Sequence, residues 1–176
     1  MKPRGLLMIE HRLIEKVLSV AKQKAISMTD MDYNPILIET IVDFIRTYAD
    51  RTHHGKEEDI LFVELAKKSL DADNLRIMDE LIDEHKQARA KVKEILELNE
   101  KYKGGDRKVV PMITTAIVWL AAFYPVHIKK EDDVFFPNTE KYFDQSELDI
   151  MLNTFYEFDR NMIHEKYQNI YKVISS

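Results

Sequence analysis

The sequence predicts an all-α fold, an up-down-up-down four-helix bundle with an additional C-terminal helix. Three observations support this prediction. Apolar residues recur every three or four positions through long segments, which is the spacing of one face of an α-helix. The chain of 176 residues contains only four Gly and five Pro, so few positions interrupt a helix. No segment alternates apolar and polar residues as a half-buried strand would, and the short connections favour antiparallel neighbours.

The first three helices are predicted from their apolar stripes and from their end signals. The first covers about residues 6–27. The second begins at Pro35, because proline is favoured in the first helical turn, and runs to about residue 69. The third covers about residues 75–102 and is followed by the loop "KGGDRK". Each of these segments is long enough to cross the bundle once.

The last two helices contain or follow prolines. The fourth covers about residues 111–137, and Pro125 inside it removes a backbone hydrogen bond, so we expect a kink there. The fifth covers about residues 146–174. Asp144 and Glu147 precede and open it with the spacing of a capping box, which supports its start.

Composition excludes several classes of protein. We expect a single domain over residues 1–176, with the core bundle at about 6–136 and the extra helix at about 146–174. The net charge of −5 argues against a nucleic-acid partner. The absence of Cys excludes disulfides, iron–sulfur clusters and thiolate zinc sites. The first residues lack the apolar segment of a signal peptide, so we expect a cytoplasmic location.

One segment raises the question of a membrane. Residues 109–126 are 18 positions without a charge, near the lower limit for a spanning helix. We expect a buried helix of a water-soluble bundle and no membrane partner. The segment contains two threonines, Tyr124 and Pro125, and a histidine and a run of charged residues follow it directly.

Each of the first four helices has one histidine in its apolar stripe, namely His11, His53, His85 and His127. Four imidazoles in one core without a ligand would leave many polar groups unsatisfied. Glu57 and Glu131 follow His53 and His127 by four residues, which places them on the same helix faces. Two buried carboxylates need positive charge, and mixed nitrogen and carboxylate ligation favours iron, manganese or zinc. We therefore expect two metal ions with both glutamates between them.

Three further residues are candidates either for ligands or for partners that hydrogen-bond to the ligands: His54, Glu58 and Tyr124. In an α-helix His54 would point about 100° around the axis from His53, so we expect it to lie outside the ligand set. Glu58 follows His54 by four residues and pairs with it in this prediction. Tyr124 lies one turn before His127, within reach of the site as a donor or a redox neighbour.

The remaining polar residues near these motifs are expected to have no role in the chemistry. Glu10 and Glu84 each precede a candidate ligand, so both should face solvent. His164 shares a stripe of the fifth helix with Tyr156, Arg160 and further aromatic residues, which indicates a packing or interface face. No general acid, general base or substrate pocket can be identified, and no catalytic residue is assigned.

The motifs resemble those of the hemerythrin-like, HHE cation-binding family. The matching segments are "EHR" at 10–12, "HHGKEEDILF" at 53–62, "DEHKQAR" at 83–89 and "HIKKEDDVFF" at 127–136. They follow one another in the family's order, one on each helix. The residues beyond them resemble the extra C-terminal helix of the family's longer bacterial and archaeal members.

The resemblance implies a non-haem di-iron centre inside the bundle, with other divalent metals as alternatives. It implies carboxylate bridges from Glu57 and Glu131, an oxo or hydroxo bridge, and terminal ligands from the four stripe histidines. One feature departs from the oxygen-carrying members, which have two histidines four residues apart on the third helix. Here Leu81 and Arg89 flank His85. Of about twelve donor positions on two irons, two then remain open unless His54 fills one.

Three functions follow as hypotheses. The favoured one is a protein that binds or senses dioxygen or a related small oxidant such as nitric oxide or peroxide, with a redox or signalling partner that the sequence does not identify. The second is a di-iron enzyme for peroxide or nitric oxide detoxification or for repair of iron centres. The third, a metal-free interaction bundle that uses the fifth helix, is disfavoured by the four inward histidines. Turnover separates the first two, and metal content separates both from the third.

Overall fold

A computed structural model, which describes residues 1–175 except the side chains of residues 169, 171 and 173, contains five long helices and no β-strand in that part of the chain. The helices are α1 at Pro3–Ser27, α2 at residues 35–66, α3 at Ala72–Lys103, α4 at residues 110–140 and α5 at Gln145–Ser175. A short 3₁₀ turn at Arg107–Val109 leads into α4. The predicted all-α fold is confirmed.

Helices α2 and α4 contain π-helical segments, which the sequence reading did not predict. In α2, π-helix at Ile45–His54 and Glu57–Leu61 interrupts the α-helix of Pro35–Phe44 and Phe62–Ala66. In α4, the π-helix covers Glu131–Phe135. A π-helical turn is wider than an α-helical one because each N–H bonds five residues back, and such turns are frequent at functional sites. All three segments contain or adjoin candidate ligands.

The helix ends differ from the predicted ones by a few residues. Helix α1 already begins at Pro3, and Asp71 caps α3 by accepting a backbone hydrogen bond. Pro137 does not end α4 as predicted, because the helix continues from the π-helical segment through Pro137 to Glu140. The predicted capping box is confirmed: Asp144 and Glu147 each accept a hydrogen bond from the other's backbone N–H, at 2.9 and 3.0 Å.

The first four helices run antiparallel to their neighbours. The hydroxyl of Thr114, near the start of α4, donates to the carbonyl of Ala25, near the end of α1, at 3.1 Å. Conversely, His11 near the start of α1 contacts Glu131 near the end of α4. Helices α2 and α3 are antiparallel as well. Glu39, early in α2, pairs with Lys103 at the end of α3, and the later Asp50 pairs with the earlier Arg89. The bundle therefore has the predicted up-down-up-down topology.

Two apolar clusters lie on either side of the candidate ligands. The larger one contains Ile14, Ile45, Ala88 and Leu120, and the smaller one contains Leu7, Leu65, Leu81, Phe135 and, from α5, Met151 and Phe155. Along each of the first three helices the stripe histidine stands between members of the two clusters. Full burial of each large aliphatic side chain contributes roughly 1.5–3 kcal/mol. The ligands thus lie in a dry layer between two cores.

Helix α5 packs against α2 in an antiparallel orientation. A Cβ atom on Gly55 would lie 2.8 Å from the ring of Phe158, so a glycine permits this close approach. Arg51 of α2 forms an ion pair with Glu165 of α5 at 2.7 Å. Gly55 stands between the candidate ligands His54 and Glu57, and α5 therefore contacts α2 at the level of the site.

One helix within residues 1–175, Arg107–Glu140, is long and apolar enough to cross a membrane by length and composition alone. The core helix of a water-soluble protein meets the same criterion. Here the helix carries His127 and Glu131, both of which are buried among the other helices. Pro125 lies inside the helix, which continues through it.

Candidate metal centre

The six predicted ligands meet in the dry layer, and each is at most 2% exposed. Their potential ligand atoms, together with those of His54, form two groups in which all atoms lie within 4.8 Å of one another. We name these groups site A, with His11, His53, Glu57 and Glu131, and site B, with His54, His85 and His127.

Both carboxylates lie between the two sites. Glu57 places Oε1 3.4 Å from Nε2 of His53 in site A and Oε2 3.5 Å from Nε2 of His85 in site B. Glu131 places Oε2 3.2 Å from an imidazole nitrogen of site A and Oε1 3.2 Å from one of site B. Each carboxylate thus directs one oxygen at each site. This is the geometry that the predicted bridging role requires.

The expectation that His54 points away from the ligands is wrong. His54 is 1% exposed, and its ring stacks on that of His85 at a centroid distance of 3.8 Å and an interplanar angle of 12°. The angle of about 100° between neighbours applies to an α-helix, whereas His53 and His54 end a π-helical segment. Both neighbours therefore face the bundle interior. His54 places in site B the imidazole that α3 lacks, where Leu81 is buried in the apolar core.

An outer set of carboxylates fixes the orientation of the four stripe histidines. Each Nδ1 lies 2.6–2.9 Å from a carboxylate oxygen, in the pairs His11–Asp132, His53–Glu10, His85–Glu58 and His127–Glu84. Such a bond holds the proton on Nδ1 and turns the Nε2 lone pair inward. Glu10 and Glu84 thus do not face solvent, and Glu58 pairs with His85 and not with His54. Each of these carboxylates reaches a histidine of a neighbouring helix, which the periodicity of a single helix cannot show.

Each outer carboxylate in turn contacts a cation. The pairs are Lys56 with Glu10, Arg12 with Asp132, Arg89 with Glu58 and Lys130 with Glu84. Burial alone would raise the pKa of Glu58, but the hydrogen bonds from His85 and Arg89 outweigh it and lower this pKa to about 2. The same balance holds the pKa values of Glu10 and Glu84 below their ordinary range. These carboxylates therefore stay ionised and keep the imidazoles in place.

The ligands of the first two helices correspond to those of the next two, except that one histidine has no counterpart. The glutamates that bond His53 and His127 precede them by 43 residues in both cases. The motifs "HHGKEEDILF" and "HIKKEDDVFF" align residue by residue, so that Lys56 corresponds to Lys130. In this alignment His54 corresponds to Ile128, which belongs to the larger apolar cluster. The two sites are therefore unequal, because only site B receives a third imidazole.

The electrostatics of the cluster show a shortage of positive charge. Burial and the charge of Glu131 raise the pKa of Glu57 well above its ordinary value. Burial would lower the pKa of His11, but the hydrogen bond to Asp132 and the nearby charge of Glu131 raise it to about 9. Burial and the neighbouring His11 lower the pKa of His53 to about 4, so this imidazole is neutral and free to bind a metal. Without another cation, the buried negative charge raises the pKa of both His11 and Glu57, which favours their protonated forms.

The inward atoms of the cluster suit a pair of cations. Among the described residues, no hydrogen-bond partner exists for Nε2 of the five histidines or for either carboxylate oxygen of Glu57 and Glu131. Each buried polar atom without a partner costs about 1–3 kcal/mol. Two cations among these atoms would satisfy all of them at once. The mixture of imidazole and carboxylate donors fits iron, manganese or zinc.

We predict that metal affinity rises with pH. At neutral pH the metal-free protein keeps a proton on His11, whose raised pKa of about 9 stabilises the protonated form, and a metal must displace this proton. Affinity should increase about tenfold for each pH unit and each displaced proton until the pH reaches the pKa of His11. Competition with a zinc chelator of known affinity at several pH values measures the slope. A flat profile across the neutral range would contradict the proton balance described above.

Lys56 connects the site to α5. Its side chain is 0% exposed, and Nζ donates to Glu10 and, at 2.6 Å, to Asp159 of α5. Its counterpart Lys130 is partly exposed and pairs with Glu84 and Glu80, both on α3. The extra helix is thereby joined, through Glu10, to the imidazole of His53.

We predict that Lys56→Met destabilises the fold by about 3 kcal/mol, because it leaves the buried carboxylate of Glu10 without its cation. Lys130→Met is the matched control and should cost about 1 kcal/mol or less, because its pair is partly exposed. Urea unfolding of both variants measures the difference. Equal losses would show that burial of Lys56 carries no extra stabilisation.

Tyr124 lies beside the site, whereas His164 lies on the surface of α5. Tyr124 is 1% exposed, and its ring centroid lies 6.1 Å from that of His54. Its hydroxyl has no hydrogen-bond partner within the described part of the chain. His164 is exposed on α5, away from the cluster, and its role in a packing or interface face stays a prediction.

Comparison with known proteins assigns the family. No curated protein matches the chain. A family model described as "Hemerythrin HHE cation binding domain" matches residues 3–139. The matched range contains α1, α2, α3, almost all of α4 and every residue of sites A and B, while α5 lies outside it. The chain therefore belongs to the hemerythrin HHE cation-binding domain family.

Proposed function

We propose that this protein holds two iron ions, one in each site, and binds or senses dioxygen or a related small oxidant such as nitric oxide or peroxide. The observation that carries the proposal is the ring of inward donors without partners, in which Glu57 and Glu131 face both sites. A family defined by cation binding supports a metal there. The donor set suits iron as well as manganese or zinc, and the proposed reaction with an oxidant requires a redox-active ion, for which we choose iron.

The inequality of the sites supports a binding function. Site B offers three imidazoles and one oxygen from each carboxylate, whereas site A offers two imidazoles and the same two carboxylates. If an ion takes about six donors, the residues of site B would supply five of them and those of site A four, so site A would leave one more position open to an exchangeable ligand. The internal repeat aligns His54 of site B with the apolar Ile128, which cannot donate to a metal. A small neutral ligand is the kind that such a position accepts.

Iron bound here would supply the electrons that chemistry with dioxygen requires. The residues of the chain supply the surroundings. Phe136, whose ring lies parallel to that of His11 at a centroid distance of 6.0 Å, and Leu7 exclude water from site A. Asp132 and Glu10 hold the two imidazoles of site A in a fixed orientation. The buried carboxylates stay in place because the helices that carry them are packed on both sides.

Two measurements test the proposal. Protein produced in iron-replete medium should contain about two iron ions per chain, in line with the two ligand groups. The reduced protein, mixed with oxygenated buffer in a stopped-flow spectrophotometer, should give an optical change that reverses under vacuum. A folded protein without metal would refute the metal centre. An irreversible change with the metal present would refute reversible binding only.

We predict that His54→Ile makes the two sites alike. The substitution introduces the residue that the internal repeat has at Ile128, and it removes one donor from site B. Affinity for the second ion should fall by about 100-fold or more, because even a residue that only supports a ligand contributes up to this factor. His164→Ile on the exposed face of α5 is the matched control and should retain both ions. Two tightly bound ions in the His54 variant would remove His54 from the ligand set.

A second function, a di-iron enzyme that removes peroxide or nitric oxide or repairs iron centres, has one observation in its favour. The hydroxyl of Tyr124 is buried beside His54 without a partner, and it is available as a proton donor. Steady consumption of peroxide over many turnovers per chain, lost in Tyr124→Phe with unchanged metal content, would favour this function. The proposal in either form involves neither nucleic acid nor a membrane, because α4 places its ligands in the bundle core.

A further inference from the structure

A cavity of about 280 Å³ between α2, α3 and α4 leads from the surface to site B. Its floor consists of His54 and Tyr124, both 1% exposed. Its walls include the buried apolar residues Ile45, Ala88 and Val92, and the ion pair of Asp50 with Arg89 also lines it. The cavity is thus closed at one end by the candidate centre and open to solvent at the other.

The size of the cavity decides against a gas as its only occupant. By the same measure of volume, one water molecule needs only about 10–15 Å³. The observed 280 Å³ approaches the lower end, about 300 Å³, of pockets that bind small organic molecules. A diatomic gas would leave most of this space unfilled.

The mouth of the cavity carries positive charge. Arg46 and Lys93 are both exposed at the opening. Arg46 forms no ion pair or hydrogen bond with any residue that the structure describes, and Lys93 only approaches Glu97 at 3.8 Å. The third cation, Arg89, already binds Asp50 and Glu58. Two cations therefore remain available at the mouth of a chain whose net charge is −5.

The floor offers polar atoms that a ligand could reach. Among the described residues, Nε2 of His54 and the hydroxyl of Tyr124 have no hydrogen-bond partner, and Nδ1 of His54 lies 3.4 Å from a carboxylate oxygen of Asp50. A cation site on His54 would use one of these nitrogens and leave the hydroxyl of Tyr124 free. An occupant with an apolar body and an anionic end at the mouth would match the walls and the charge together.

We propose that this cavity binds a small amphipathic organic acid, with its carboxylate at Arg46 and Lys93 and its apolar chain along the walls at Ile45, Ala88 and Val92. The inference extends the proposed function, because the bound acid would lie beside site B. The binding itself needs only the cavity walls and the cations at the mouth, so it can be measured with and without metal.

Octanoate is the probe, and 1-octanol, which has the same chain without the charge, is its control. Titration calorimetry on metal-loaded and on metal-free protein should give saturable binding of octanoate at one site. Octanoate should bind about tenfold tighter than 1-octanol or better. In methyl NMR spectra of diamagnetic zinc-loaded protein, the signals of Ile45, Val92 and Leu96 should shift in parallel with binding. No saturable binding, or equal affinity for the two probes, would overturn the inference.

Substitutions at the mouth locate the carboxylate. Arg46→Ala should weaken octanoate binding by about fivefold, which corresponds to one partly exposed ion pair. Arg51→Ala, on the same helix but outside the cavity, is the matched control and should leave the affinity unchanged. Lys93→Ala has its own control in Lys86→Ala on α3. Equal effects of a substitution and its control would overturn the assignment of the mouth.

Metal analysis of the same samples separates this inference from the proposed function. Octanoate binding in a protein that takes up no metal would leave the cavity site standing and refute the metal centre. Two bound iron ions without octanoate binding would refute the cavity site alone.

Discussion

Glu131→Gln should reduce the metal content from two ions per chain to none. Glu131 is 0% exposed and directs one oxygen at His11 in site A and the other at His127 in site B, each at 3.2 Å. An amide keeps one oxygen but replaces the other by an NH₂ group, which donates hydrogen bonds and cannot bind a cation. The loss of negative charge also weakens both sites at once. Elemental analysis of the purified variant, with circular dichroism to confirm its helical fold, gives the result.

Two controls separate this effect from a general disturbance of the site. Glu58→Gln changes a carboxylate that only hydrogen-bonds a ligand, and it should weaken metal binding by about 10–100-fold without abolishing it. Glu97→Gln on the exposed face of α3 should have no effect. If Glu131→Gln keeps one tightly bound ion, then Glu131 belongs to one site and is not a bridge.

Removal of the metal should lower the melting temperature by about 8–16 °C. Free metal at about 1,000 times its dissociation constant stabilises the native state by roughly 4 kcal/mol, and each kcal/mol shifts the midpoint of a chain of this size by about 2–4 °C. The structural reason is the cluster of inward atoms. Without metal, burial and the charge of Glu131 raise the pKa of Glu57, because no cation pairs with the two buried carboxylates.

Differential scanning calorimetry of metal-free and metal-loaded protein measures this shift. Re-addition of iron or zinc to the metal-free sample should restore the higher midpoint. Calcium should not restore it, because calcium prefers a shell of oxygen donors and the sites are rich in imidazole. Superimposable curves would show that the centre contributes nothing to the stability of the fold.

The sequence was sufficient to predict the helical bundle, because the patterns that indicate a helix join residues only a few positions apart. The stripe that contains His11 and Leu18 and the capping box at Asp144 each depend on residues a few positions apart. The same reasoning located His85 and His127 in the core. Each of these patterns lies within one helix, and the structure contains both the buried stripe and the capping box.

The parts that the sequence did not predict depend on helix type or on contacts between helices. The α-helical angle between neighbours places His54 away from the ligands, whereas residues 45–54 are π-helical and His54 faces the site. Glu10 and Glu84 were misplaced because their partners, His53 and His127, lie on other helices. A usable signal was present: glutamate directly precedes histidine in both "EHR" and "DEHKQAR", at corresponding positions of the two halves.

The bond between His11 and Asp132 spans 121 residues, and it affects how the protein is made. A ribosome releases His11 early and Asp132 only after most of the chain, so the first imidazole lacks its orienting carboxylate during almost all of synthesis. Glu131, which faces both sites, emerges at the same late moment. Any ion captured earlier would be held by an incomplete set of donors and would exchange freely. Selection of the metal is therefore postponed until the four helices have closed, and the pool of ions that surrounds the finished chain decides which one is kept.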